Sequence, residues 1–571
     1  MRFFSAIAII LLCCVLACAQ QPDAPRPRAS QPARSEREAV ILSVFEHGLQ
    51  PRVGGDQNNH LNNDSNSDAT LEQAAGAQPV NETVETAEPL TDFADANAPQ
   101  SQESAPGTSD NEPSEGLSQK YNFHAQYTLT GMGYLSFSAA YTNPAYLWSG
   151  TGSSLPTQGQ ARETQSLDEY FGYRLGPHTE FHLDTLVWQG YGLNNTFGIN
   201  DFPDGEAFKV GVRYPHFSVV RFFLRQTINL GGGKGKESVD DDQLTLRGTE
   251  DIDRITITAG RFSAKDIFDN NPYSNDPRTQ FMNWALMADA AWDYPADALG
   301  FTTGVAIAWN RPKWTLRYGW FQMSKYRNQF TAESLYLTIP GEAEAGDGKI
   351  FQDWSMVTEL EHRHNLGRHT GAVRFLAFDN RTNMGSYKAA IALANAPATL
   401  AVWGTPAHFL ASANGVTGGI DDTHALRNTW GFGLNMDQSL TDNIGVFSRI
   451  GWNCGQNESF EFTDANWTAT FGASMHGMKW KHPDDVLGAA FITSGASKAN
   501  QDYLAAGGIG ILTGDGALNY GPEKNVEIYY DHPFSKHFHG TLDYQMVDNP
   551  AFNKDRGPVP AIFALRLHYE R

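Results

Sequence analysis

The sequence lacks the features that a helical membrane protein or a nucleic-acid-binding protein needs. After residue 18 it has no apolar run near the roughly 20 residues that a membrane-spanning helix requires, and its mean hydropathy is −0.42. It carries 42 Lys and Arg against 64 Asp and Glu, a formal charge of −22. Phosphate contacts require an excess of basic residues. A bundle of transmembrane helices is therefore excluded, and a nucleic-acid partner is disfavoured.

Cysteine is also scarce, with 4 in 571 residues, and three of these lie within the first 18 positions. The apolar run from Ala6 to Cys18 is too short to span a bilayer, so it predicts a signal peptide over residues 1–19. In an alternative interpretation, residues 15–18 form a lipobox and Cys18 is lipidated. After cleavage at Ala19 only Cys454 remains, which leaves no internal disulfide.

Residues 20–118 differ in composition from the rest of the chain. They contain 17 acidic and 5 basic residues, and their only aromatic residues are Phe45 and Phe93. Such a segment buries too little apolar surface to offset its chain entropy. It predicts a disordered acidic extension in the periplasm, followed by a folded domain over residues 119–571.

From residue 119 onward apolar residues recur at every second position, which is the period of a half-buried strand. In the last segment Phe563, Leu565, Leu567 and Tyr569 alternate with Ala564, Arg566, His568 and Glu570. A soluble sandwich buries its apolar faces, whereas a membrane barrel turns them to lipid and keeps charged groups in its lumen. With roughly 16 to 18 such segments, the pattern predicts an all-β fold, a transmembrane antiparallel β-barrel.

A series of short blocks runs in order through the folded domain. They include FPDGEA at 202–207, YSNDPRTQFMNW at 273–284, GGIGILTGDGALNY at 507–520 and NPAFN at 549–553. In this series the chain resembles the OprB family of carbohydrate-selective porins of Gram-negative outer membranes. The resemblance implies about 16 strands, passive diffusion of mono- or small oligosaccharides, and a constriction made by loops folded into the lumen. The expected partners are sugars, outer-membrane lipid and the barrel-assembly machinery, as a monomer or a trimer, with no cofactor.

A pore that selects sugars needs fixed hydrogen-bond donors and acceptors beside aromatic surfaces. Arg221 and Arg225 have the parity opposite to Val220, Phe222 and Leu224, which predicts that both face the lumen. The irregular stretch 263–294 or the loop 202–207 is expected to fold inward, although its charges could instead only pin it to the wall. The candidate constriction residues are Glu206, Lys209, Arg221, Arg225, Asp266, Asp269, Arg278, Asn283 and Trp284.

Other functions remain as alternatives. The chain could be a porin for charged small solutes, a soluble carbohydrate-binding sandwich, or a sugar-acting enzyme in which Asp266 and Asp269 are the two carboxylates. The glycine-rich stretch 231–236 lacks the spacing of a phosphate loop. His362, His364 and His369 lack the spacing of a metal site. We therefore predict a channel with no catalytic residue and no metal.

Overall fold

The computed structural model describes residues 118–141, 154–207, 211–231, 235–297, 299–324, 351–411 and 419–571. Within them, 16 antiparallel strands close into a barrel, which confirms the predicted fold class. The predicted signal peptide, and the predicted extension up to residue 117, lie outside the described residues. In chain order the strands are β1 (Tyr121–Tyr134), β2 (Gln160–Gly176), β3 (Thr179–Tyr191), β4 (Gly211–Asn229), β5 (Lys236–Val239), β6 (Gly248–Asp251), β7 (Arg254–Phe262), β8 (Thr302–Asn310), β9 (Trp314–Gln322), β10 (Trp354–Leu366), β11 (His369–Met384), β12 (Ala425–Thr441), β13 (Ile444–Asn453), β14 (Trp467–Gly477), β15 (His482–Gly495), β16 (Glu523–Ser535), β17 (Phe538–Asp548) and β18 (Val559–Glu570).

The barrel closes between its first and last strands, and only β5 and β6 stand outside it as a separate hairpin among the described strands. β1 pairs with β18 from Gln126 opposite Glu570 to Tyr134 opposite Ile562. Closure matters in lipid because an open sheet edge would leave backbone groups without hydrogen bonds. Most connections at one end are short, such as residues 367–368, and those at the other end are long, such as residues 385–424. We call these the short-turn end and the long-loop end.

Side chains alternate between the outer wall and the lumen, and the polar ones lie inside. On β18 Phe563 and Leu565 are exposed on the outside, whereas Arg566 and His568 are buried inside. The same alternation places Leu316 and Tyr318 of β9 outside. An apolar outer wall around a polar interior is the arrangement of a lipid-facing barrel, as the period-two pattern predicts.

Tryptophan pairs mark both ends of the outer wall. Trp309 and Trp314 meet at the short-turn end with ring centroids 5.0 Å apart. Trp320 and Trp354 stack at the long-loop end with centroids 5.1 Å apart. The six positions from Trp314 to Trp320 correspond to about 20 Å at the rise of a strand. Aromatic girdles bound the apolar band of outer-membrane barrels at both ends in the same way.

The helices lie in the connections between strands. In the connection 385–424, Ser386 caps a helix by accepting a hydrogen bond from the Ala389 amide. None of the helices in the described ranges is long and apolar enough to cross a membrane. The α-helices are Trp284–Met287, Tyr387–Ala394, Pro397–Trp403, Pro406–Leu410 and Lys498–Ala505. The 3₁₀ helices are Leu193–Thr196, Gly205–Ala207, Ala264–Asp266, Gly419–Thr423, Met478–Trp480, Pro550–Phe552 and Lys554–Arg556.

Candidate functional site

The chain between β7 and β8, described at residues 263–297 and 299–301, folds into the lumen, and we call it the inner loop. Its large side chains Trp284 and Trp292 are almost fully buried. The wall residues that bond to it come from strands all round the ring: Asp168 (β2), Arg221 (β4), Glu359 (β10), Asn435 (β12), Arg449 (β13), Glu527 (β16) and Arg566 (β18). Since β2 and β12 lie opposite each other in the ring, the inner loop crosses the lumen.

A fully buried arginine of the wall holds the middle of the inner loop. The Arg449 guanidinium donates to the carbonyl oxygens of Ser274 and Leu286, both at 2.6 Å, and to Asp269 Oδ1 at 3.1 Å. Lys265 Nζ lies 3.2 Å from Asp269 Oδ2. Burial opposes the charge on Asp269, but Arg449 and Lys265 outweigh it and lower the pKa of this carboxyl to about 2. Asp269 is therefore an ionised anchor of the loop.

Two glycines of the wall make room for the inner loop. Gly433 of β12 and Gly451 of β13 face each other in register, and the Asp289 carboxylate packs against both. A Cβ on Gly451 would lie 1.9 Å from Asp289 Oδ1. Burial, followed by the charge of Asp269, raises the pKa of Asp289 to about 7. The loop thus depends on a gap in the wall that only glycine provides.

We expect Gly451→Ala to displace the inner loop and to lower the free energy of unfolding by about 1–3 kcal/mol, the usual cost of overpacking. Unfolding in denaturant, followed in detergent or lipid, measures the change. The matched control is Gly131→Ala on β1, where an added Cβ meets nothing within 4 Å. Equal stability of the two variants would contradict this account of Gly451.

The loop 202–207 also lies inside the barrel, packed on the inner loop. The Trp284 amide donates to the Phe202 carbonyl oxygen at 3.0 Å, and the two rings stack with centroids 5.0 Å apart. The Asn283 side chain donates to the Asp201 carbonyl oxygen at 2.9 Å, and the Asn283 backbone N–H donates to Glu527 of β16. The two stretches that are predicted to fold inward therefore contact each other, and Asn283 and Trp284 make these contacts.

A cavity of about 1570 Å³ lies between these inner segments and the wall. It reaches the short-turn end, where Lys313 and Lys536 line it. Of the candidate residues, Glu206, Arg221, Arg225, Asp266, Arg278 and Trp284 line the cavity, whereas Asp269 and Asn283 do not. Lys209 lies outside the described residues.

Arg221 of the cavity wall pairs with two carboxylates. It binds both carboxylate oxygens of Asp266, at 2.8 and 2.9 Å, and also contacts Asp184 of β3. Its guanidinium carbon lies 4.8 Å from the centre of the Phe301 ring and 5.8 Å from that of Tyr170. Fixed donors and acceptors thus stand beside aromatic faces, which suits both the hydroxyl groups and the C–H faces of a sugar.

The predicted parity around Arg221 is right for Phe222 and Leu224, which are exposed outside, but wrong for Val220. Arg221 pairs with Asp184 and Val219 with Thr185, which leaves Val220 as the extra residue of a β-bulge. The bulge turns Val220 inward, where it packs with Leu186, Trp188 and Phe301. Bulges of this kind re-aim side chains near functional sites.

A second cluster connects the inner loop to β2. Arg278 Nη2 lies 3.1 Å from Asp168 and 3.2 Å from Glu206, and the Ser166 hydroxyl donates to Glu206 at 2.6 Å. Burial raises the pKa of Glu206, while the charge of Arg278 acts in the opposite direction. About a fifth of the Arg278 side chain remains exposed, and it lines the cavity.

Residues 235–253, which contain β5 and β6, form a second inward element that the sequence analysis missed. We call it the mouth hairpin, because its residues line the cavity towards the short-turn end. Arg225 donates to the Leu244 carbonyl oxygen at 2.6 Å, and Gln243 donates to Gln126 at 3.1 Å and Glu570 at 3.0 Å. Arg225 therefore positions this hairpin. Two features of the chain could have revealed it: the apolar Leu246 within an acidic stretch, and an unusually long connection from β4 to β7.

Comparisons with known proteins agree with the barrel. The family described as carbohydrate-selective porin, OprB family, matches residues 152–570. The high-pH structure of OprB from Pseudomonas putida has a TM-score of 0.55 and 12% identity, over 79% of this chain and 94% of that chain. The outer membrane channel DcaP of Acinetobacter baumannii has a TM-score of 0.40 and 10% identity, over 79% and 98%. No curated protein sequence matches the chain.

Proposed function

The chain belongs to the OprB family of carbohydrate-selective porins, and we propose from this premise that sugars diffuse passively through its lumen, past the Arg221 and Arg278 clusters. The observation that carries the proposal is the set of arginine–carboxylate pairs that line the cavity beside the rings of Tyr170 and Phe301. Each cluster sets one arginine beside two carboxylates, so hydrogen-bond donors and acceptors lie next to each other, as a solute with many hydroxyl groups requires.

The candidate residues divide into two roles. Four residues contact the solute, because they line the cavity and keep part of their side chains exposed: Arg221, Asp266, Arg278 and Glu206. The positioning residues, which hold the inner loop and the mouth hairpin in place, are Asp269, Asn283, Trp284 and Arg225. Lys209 stays a predicted member of the constriction.

The surroundings of the barrel follow from its outer wall. Lipid of the outer membrane covers the exposed apolar side chains between the two tryptophan pairs, and the short-turn end faces the periplasm, as in other outer-membrane barrels. We further propose that residues 1–19 direct export, that residues 20–118 form an acidic extension, and that the barrel-assembly machinery assembles the barrel. A monomer and a trimer both fit it.

A planar-bilayer experiment tests the role of Arg221. We expect Arg221→Ala to raise the single-channel conductance and to raise the half-blocking sugar concentration roughly tenfold or more, because one charge-assisted hydrogen bond contributes about 1.5–3 kcal/mol. Arg368→Ala is the control, since Arg368 is a largely exposed residue of the short turn 367–368. Unchanged conductance and unchanged sugar block would reject the assignment of Arg221.

The same preparation separates the rival functions. A strong anion or cation selectivity, with no block by mono- or disaccharides, would favour a porin for charged solutes. Turnover of an oligosaccharide by the purified protein would favour an enzyme. We propose a channel without a catalytic step, because the family is one of porins and Asp269 is occupied as an anchor of the inner loop.

A further inference from the structure

Three potential metal ligands meet at the long-loop end, away from the cavity. Asp421 belongs to the 3₁₀ helix Gly419–Thr423, His424 follows directly, and Glu458 comes from the connection between β13 and β14. The ligand atoms of all three lie within 4.8 Å of one another. His424 Nε2 lies 2.6 Å from Glu458 Oε1 and 3.6 Å from Asp421 Oδ1.

The backbone around these residues fixes their positions. The Gly385 amide donates to Glu458 Oε1 at 2.7 Å, and the Glu458 amide donates back to the Gly385 carbonyl oxygen at 2.9 Å. A Cβ on Gly385 would lie 2.5 Å from the Ile420 side chain, so glycine allows the two ends of the connection 385–424 to come this close. The Ser386 amide donates to Thr423 Oγ1 at 3.0 Å. The three ligands are thus held by hydrogen bonds between two connections.

The chemistry of the cluster favours a cation over a hydrogen bond alone. One imidazole nitrogen faces two carboxylates, and a single N–H can donate fully to only one of them. A metal ion in place of this proton would be bound by the nitrogen and by both carboxylates. One imidazole with two carboxylates is a ligand set that suits zinc and similar divalent metals. Asp421 and His424 keep about a fifth of their side chains exposed, so water can complete the coordination.

We propose that Asp421, His424 and Glu458 bind one divalent transition-metal ion of the zinc class. Coordination requires an unprotonated His424 Nε2, so a proton on this nitrogen is released from imidazolium, or moves to Nδ1 in neutral imidazole, when the ion binds. The ion joins the connection 385–424 to the connection 454–466. The latter also touches the inner loop, since the amides of Phe460 and Glu461 both donate to Asp293 at 2.8 Å. The metal would therefore stabilise the outer support of the constriction.

The test uses the full-length protein in detergent, stripped with a chelator and titrated with Co²⁺ as a spectroscopic probe and with Zn²⁺ by calorimetry. We expect one equivalent to bind, with visible Co²⁺ absorption bands that Zn²⁺ abolishes. We expect His424→Gln and Glu458→Gln to weaken this binding by roughly 10- to 100-fold or more. Loss of a residue that only hydrogen-bonds to a metal ligand already has an effect of that size. His408→Gln is the control, since His408 lies on the nearby helix Pro406–Leu410 and outside the cluster.

The partly exposed Asp421 supplies a variant that preserves the fold. Asp421→Asn keeps the His424–Glu458 contact and should still weaken Co²⁺ binding and alter its spectrum, with heat-modifiable migration of the barrel unchanged. If the wild-type protein binds no equivalent of Co²⁺ or Zn²⁺, or if the three variants bind like the wild type, the cluster is an ion pair only and the proposal is wrong. Sugar block in the bilayer is measured separately and does not decide this outcome.

Discussion

Arg449→Met is expected to lower the free energy of unfolding by about 3–5 kcal/mol, because removing one partner of a buried ion pair leaves the other charge uncompensated. Arg449 has no exposed surface, and its guanidinium is shared among Asp269, Ser274 and Leu286 of the inner loop. Lys265 stays beside Asp269 in the variant, which places the expected loss towards the lower value. The lost contacts are those that hold the inner loop across the lumen. We therefore also expect a larger single-channel conductance and greater current noise.

Denaturant unfolding in detergent or lipid measures the stability, and planar-bilayer recording measures the conductance. Arg368→Met is the matched control, because the Arg368–Asp442 pair is exposed at the short-turn end and contributes little. A further change of Asp269→Asn in the Arg449→Met protein should lower the stability again, since it leaves the buried charge of Lys265 without a partner. Equal losses in Arg449→Met and Arg368→Met would show that the inner loop does not depend on Arg449.

The sequence predicts the wall of this barrel well because the wall follows a local rule. Every strand has to place one side in lipid and the other in the lumen. The alternation along β18 therefore predicts that Phe563 and Leu565 face outward and that Arg566 and His568 face inward. Val220 departs from the rule because a bulge adds one residue to β4 without a mark in the local pattern. A bulge becomes visible only when the pairing partner, here β3, is known.

The interior follows contacts that are distant in sequence. The irregular stretch 263–294 indicates an inward loop, but nothing local separates Asp266, which lines the cavity, from Asp269, which is buried three residues later. That difference depends on Arg449, 180 residues away. The meeting of His424 with Glu458 is likewise invisible in the sequence, because Gly385 and the strands around it bring two separate connections together. Composition and spacing carry no information on such contacts.

Removing the mouth hairpin should widen the short-turn end and leave sugar recognition in place. Asn229 and Arg254 already pair at the ends of β4 and β7, so residues 230–253 can be replaced by the two-residue turn Asn-Gly, which suits an antiparallel hairpin. The hairpin fills part of the lumen near β1 and β18 through the contacts of Gln243. We therefore expect a larger single-channel conductance, because a wider mouth lowers the access resistance of the pore.

The half-blocking sugar concentration should remain that of the wild type, because the Arg221–Asp266 pair belongs to β4 and the inner loop and stays intact. Gln243→Ala is the matched control, since it loosens the hairpin without removing it and should give an intermediate conductance. Recording with sugar added to either side shows which end has changed. Unchanged conductance after excision would mean that the hairpin does not narrow the mouth. Loss of the sugar block would place part of the recognition site on the hairpin, where Asp241 and Asp242 also line the cavity.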